Sequence, residues 1–163
     1  MPALIYQNDE TKRVFDDTTT AAHTFTVNNL AAGAGRQSDL LDLGTSARAH
    51  RYAWRAYCQS AVNAVVGGIV RVYIKTSDGS KPDNDDGVTD AAVSAEDKLK
   101  NLHQIGSIIV DETATGVVMA SSGLVILPHR WVAPVFWNAA ADNLVNTDNL
   151  NGFSLTPVPF ESQ

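Results

Sequence analysis

The sequence predicts an all-β protein, an antiparallel β-sandwich with one short helix near residues 94–101. Three observations carry that prediction. Between residues 69 and 75 the side chains alternate, with Val70, Val72 and Ile74 toward one face and Arg71, Tyr73 and Lys75 toward the other. Period-two alternation of β-branched residues marks a strand with one face buried. Through the second half of the chain, short apolar segments recur between turn signals, at 104–111, 117–120, 124–127 and 152–158. Short strands at such spacing indicate a sandwich or barrel. Strand–helix units do not repeat, which argues against a doubly wound parallel sheet.

The elements follow in order. Residues 1–22 are weakly patterned, with turn-like Asn8-Asp9-Glu10-Thr11 and a polar run from Asp16 to Thr20. They read as an N-terminal arm that orders against another surface, or as an arm holding a short edge strand over 12–15. Residues 23–163 form the single sandwich domain. His23 to Val27 alternates and is rich in threonine, so it is expected as a strand. Residues 31–35 (AAGAG) form a loop, and 38–43 a short strand ended by Gly44. Residues 51–59 alternate Tyr52, Trp54, Ala56 and Cys58 with Arg51, Ala53, Arg55 and Tyr57, a further strand. Gly67-Gly68 opens the central strand, and Ser77-Asp78-Gly79 turns away from it. Ser94 with Asp97 resembles a capping box, and helix formers follow to Asn101. Such a segment is far below the roughly 12 residues at which an isolated helix becomes marginal, so it must pack, through Val93, Leu99 and Leu102. Ser121-Ser122-Gly123 reads as a turn between two strands.

The segment 131–139 (WVAPVFWNA) is apolar on both faces: Trp131, Ala133, Val135 and Trp137 on one, Val132, Pro134 and Phe136 on the other. A sheet with one wet side should alternate, so something covers the second face. Pro134 lacks an N–H and points to an edge strand or a bulge. Another subunit or the chain's own arm is the expected cover. Trp131, Pro134, Phe136 and Trp137 are therefore the expected contacts with another subunit or a larger partner.

Charge and composition narrow the function. The 163 residues carry 18 acidic and 12 basic side chains, a formal net charge of −6. That disfavours nucleic acid, whose phosphates want a basic surface. No apolar run approaches the roughly 18 residues that span a bilayer, so no membrane partner is expected. The start lacks a basic stretch before an apolar core, so no secretory signal is read and synthesis in the cytoplasm is expected. Cys58 is the single cysteine, which excludes internal disulfides and reads as a buried small hydrophobe.

Catalytic motifs are missing. His23, His50, His103 and His129 show no metal-ligand spacing, HExxH and Gly-x-Ser-x-Gly are absent, and no phosphate loop occurs. The loop 77–90 is acidic, but an EF-hand fails on register, because Pro82 and Val93 fall where carboxylates are required. A looser calcium site from Asp83, Asp85 and Asp86 is the one cofactor option, against a solvated acidic loop. No enzyme is expected.

Three segments together carry a resemblance: 67–87 (GGIVRVYIKTSDGSKPDNDDG), 95–111 (AEDKLKNLHQIGSIIVD) and 127–144 (LPHRWVAPVFWNAAADNL). They resemble small structural proteins of tailed-bacteriophage virions, over about residues 38–158. The resemblance implies a jelly-roll-like sandwich that decorates or cements the capsid from its outer surface. It also implies the major capsid protein as partner, self-association as a small oligomer (a trimer), and residence in the virion. A carbohydrate- or receptor-binding module using Tyr73, Trp131 or Trp137 for stacking is the first alternative. A tail or head–tail connector component is the second.

Overall fold

The computed structural model describes residues 11–18, 23–45, 49–62, 64–84, 86–114 and 116–158. Within them the chain is all β, apart from one 3-10 turn. The strands are β1 (Arg13–Asp16), β2 (His23–Thr24), β3 (Ala34–Gln37), β4 (Leu41–Asp42), β5 (Arg51–Gln59), β6 (Ile69–Ser77), β7 (Ala91–Val93), β8 (His103–Ile109), β9 (Val118–Ile126), β10 (Trp131–Asn138) and β11 (Gly152–Pro157). One sheet runs β2-β1-β11-β5-β9 and the other β7-β3-β10-β6-β8, with β4 also on β10. Apart from the parallel β1–β2 pair, the ladders are antiparallel. With β2, β4 and β7 set aside, the eight remaining strands have jelly-roll connectivity: successive strands cross to the opposite sheet, except β6 and β8, which are neighbours in the second sheet.

The core follows from alternation. Phe15, Tyr52, Trp54, Ala56, Cys58, Phe153 and Leu155 from the first sheet meet Val70, Val72, Ile74, Ile108, Val132 and Phe136 from the second. Burial of a side chain such as Phe136, which is fully enclosed, contributes roughly 1.5–3 kcal/mol. At the β8/β9 flank the gap is filled by Trp54, stacked on Phe153 at 6.3 Å. The ring passes so close to both flanking strands that a Cβ at Gly106 would lie 2.6 Å from it, and one at Gly123 2.9 Å. These glycines are present because the indole leaves no room for a side chain.

Several expectations are revised. Residues 13–16 of the expected arm form β1 within the first sheet; 1–10 and 19–22 fall outside the described residues. β1 lies between β11 and β2 and is not an edge. The expected loop 31–35 gives way to β3 at Ala34, and 38–43 contributes only β4. Residues 118–126 form one nine-residue strand with no turn at Ser121-Gly123. The expected helix is a single 3-10 turn, Glu96–Leu99, whose N-cap residue is Ala95 without a side-chain cap, so the Ser94–Asp97 capping box does not form. Pro134 sits on β10, between β3 and β6 in mid-sheet. Its carbonyl accepts from Ser38 N at 3.1 Å, where the chain passes from β3 to β4. In an antiparallel strand a residue's N and C=O point to the same side. The missing N–H therefore faces the gap between two short strands and costs the β6 ladder nothing.

Candidate interaction face

The outer face of the second sheet is closed by the chain itself around Tyr73, Val135 and Trp137, while the paired Ile69 and Ile109 at one end stay exposed. The connection from β6 to β8 returns across this sheet, adding β7 to its edge beside β3 and bringing the 3-10 turn against the face. Val93, Leu99 and Leu102 from this connection pack with Tyr73, Val135 and Trp137 in a second apolar cluster. Beneath the cover, Lys75 is fully buried. Its Nζ donates to Gln37 Oε1 at 2.8 Å and to the Gly87 carbonyl. Gln37 Nε2 in turn donates to the carbonyls of Asp86 at 3.0 Å and Thr89 at 2.8 Å. A buried ammonium is tolerated only when its donors are satisfied, and here it uses the loop's own carbonyls.

The acidic loop is tied down by the same logic. Asp83 accepts from Thr76 N at 2.7 Å and Thr76 Oγ1 at 2.8 Å. Asp86 pairs with Lys98 at 3.0 Å. Asp85 lies outside the described residues. Among the described residues, no group of three or more His, Cys, Asp or Glu is placed to hold a metal ion.

This arrangement corrects the expected contact residues. Pro134, Phe136 and Trp137 are buried within the one chain. Phe136 points into the main core, 4.9 Å from the Phe25 ring. Trp137 and Tyr73 lie under the cover, each 7% exposed, which removes them as stacking platforms for a sugar. Trp131 is half-buried; Arg130 stands over its ring at 5.1 Å. The cover expected from another subunit or an N-terminal arm is supplied by the β6–β8 connection.

The four histidines sit on or beside four different strands. His23 lies on β2 with its ring 5.2 Å from Phe15, and burial followed by the nearby Arg13 charge lowers its pKa. His103 begins β8. His50 precedes β5, and His129 precedes β10. Cys58 is enclosed between the sheets, and burial pushes its thiol up to about 12, the opposite of an activated nucleophile.

The first sheet is open. The outward side chains of β9 are Val118, Ala120, Ser122, Leu124 and Ile126, all exposed. Leu124 is 58% and Ile126 71% exposed. Register sets Arg51 beside Ile126, Ala53 beside Leu124 and Arg55 beside Ser122. His50, Arg51, Leu124 and Ile126 line a shallow hollow of about 420 Å³. Arg55 leans over the Tyr57 ring at 5.4 Å. Burial, and secondarily the charge of Asp16, raise the Tyr57 pKa, while Arg55 opposes the rise.

Charge pairing separates the two sheets further. Arg36, Arg71 and Arg130, on or beside the second sheet, pair with Asp90, Glu96 and Asp42. Among the described residues, Arg51 and Arg55 have no carboxylate partner. The strand β9 ends the first sheet and carries no charged residue, proline or bulge to guard its free edge. Sequence reasoning took this strand as two, divided by a turn at Ser121-Ser122-Gly123. The signal was the even-numbered apolar alternation from Val118 to Ile126, which Ser122 and Gly123 disguised.

A scan against protein-family models finds no match to this chain, and a search of curated proteins finds none either.

Proposed function

We propose that the chain is a non-enzymatic virion structural protein, a capsid decoration subunit that seats the outer face of its first sheet on the shell. The observation that carries the binding role is the bare face around Leu124 and Ile126, flanked by Arg51 and Arg55 without carboxylate partners among the described residues. Its virion setting follows the sequence resemblance given above. A jelly roll with a filled interior offers a stiff plate, and one apolar face offers the adhesive side. Contacts made only with the assembled shell stabilise that assembly by mass action. The acidic remainder of the molecule keeps free subunits soluble. With Tyr73 and Trp137 enclosed, no particular observation favours a carbohydrate module.

The test uses purified particles. Stripping this protein should lower their resistance to heat and osmotic shock, and re-adding wild-type protein should restore it. A Leu124→Glu variant that folds normally should fail to restore it. Particles that lack the protein, or that lose nothing on stripping, would overturn the proposal.

A further inference from the structure

The bare face carries a spacing as well as a chemistry. Arg51, Ala53 and Arg55 are successive outward residues of β5. On a strand such residues stand about 6.7 Å apart, so the two arginine stems are about 13 Å apart. Between them lies Ala53, whose small side chain leaves an apolar floor beside Leu124. The rim is cationic and the middle is greasy. Acidic partners within the chain satisfy the arginines of the other sheet, while this pair has no carboxylate partner among the described residues.

We infer that this face receives an extended acidic segment of the partner protein, with an apolar residue flanked two positions before and two after by carboxylates. An extended chain has the same side-chain repeat as β5. Laid along the face, its apolar residue lies over Ala53 against Leu124, beside the hollow that Leu124 helps to line, and its carboxylates meet Arg51 and Arg55. Arginine–carboxylate pairs of this kind are directional and frequently bidentate, and they set register and association rate as well as affinity. The inference rests on the reading that this face is the docking surface, but it does not depend on the partner being a capsid.

The experiment titrates isotope-labelled protein with a synthetic peptide whose centre is Glu-Thr-Leu-Thr-Glu, and follows backbone amide and arginine Nε resonances. Shifts are expected on β5 and β9 and at Arg51 and Arg55. Affinity should fall as salt rises. It should fall about tenfold or more when both glutamates become lysine, and likewise in Arg51→Glu or Arg55→Glu protein. Both arginine sites are solvent-facing, so an unchanged amide spectrum elsewhere certifies the fold. Absence of binding at millimolar peptide, equal affinity for the lysine peptide, or shifts on another surface overturns the inference. Tighter binding of a short DNA duplex to the arginine pair does so as well. So does a doubled solution mass that Leu124→Glu abolishes, because a second copy would then own the face. Re-coating of stripped particles separates the two levels. If the arginine variants re-coat as well as wild type while Leu124→Glu does not, the docking face stands and the acidic partner falls. If wild type fails to re-coat although the peptide binds, the capsid reading falls alone.

Discussion

Tyr73, on the outer face of the second sheet, is 7% exposed; Ile126, on the outer face of the first, is 71% exposed. Both sit on long strands of the same sandwich. The difference comes from one connection. Between β6 and β8 the chain returns across its own sheet, and it packs Leu99 and Leu102, with Val93 from the edge strand β7, against Tyr73, Val135 and Trp137. The first sheet receives no such apolar cluster among the described residues. A two-faced apolar strand, then, is a statement about burial and not about what does the burying. β10 looked like the adhesive element and is enclosed; β9 looked like two ordinary strands and is open.

The contrast is broken most directly by truncating one residue from each side. Trp137→Ala should destabilise the fold by about 3–5 kcal/mol in urea titration, the usual loss for a large aromatic leaving a packed site. Leu124→Ala should change stability by no more than about 0.5 kcal/mol, as is usual for surface sites. Equal losses would mean that the two faces are not covered and bare in solution.

A smaller effect tests what holds the cover down. Lys75→Ala leaves the Gln37 oxygen and the Gly87 carbonyl without their buried donor, at a cost of about 1–3 kcal/mol. Amide exchange over β7 and the preceding loop should accelerate, while β5 and β9 keep wild-type rates. Uniform acceleration would show that the cover and the sandwich open together.

Cys58 reports on the interior in the same variant. With its thiol pushed up to about 12 by burial, little of the reactive thiolate forms at pH 8. Labelling by an aromatic disulfide should be slow in wild type and no faster in Lys75→Ala, because the cover lies on the far side of the second sheet. Fast labelling in that variant would contradict a core that is independent of its cover.

The smallest effect belongs to the bare face. The Arg55 cation lowers the Tyr57 pKa against the rise imposed by burial and Asp16. A positive charge favours the phenolate, so Arg55→Gln should move the Tyr57 titration further upward, read from its ring carbon resonance. A downward shift would mean that Arg55 does not face Tyr57 in solution.

Much of the architecture was written in local pattern. β5 alternates and β10 is a run of apolar strand formers, and their extents follow from it. β3 was missed because Ala, Gly, Arg and Gln have little preference for strands. Tertiary partners hold it there, Trp137 and Phe136 across the ladder and the loop carbonyls on Gln37. β9 was divided at Gly123 because glycine usually signals a turn. Here it marks a place where another residue's ring passes, and nothing near it in sequence discloses that ring. The docking residues were misplaced for a related reason. Pattern shows that Phe136 and Trp137 avoid water, but which segment keeps them dry depends on a loop whose path composition does not encode.

Trp54 carries one more consequence. Its indole N–H is buried without an acceptor, between two strands that each meet it with a glycine, Gly106 and Gly123. Such a dry chromophore should fluoresce at short wavelength, and its colour should redden if β8 and β9 are prised apart to let water in. The molecule thus has an intrinsic optical strain gauge on the flank beside its exposed sheet. Attachment to a curved or swelling support could be watched through it without any added label.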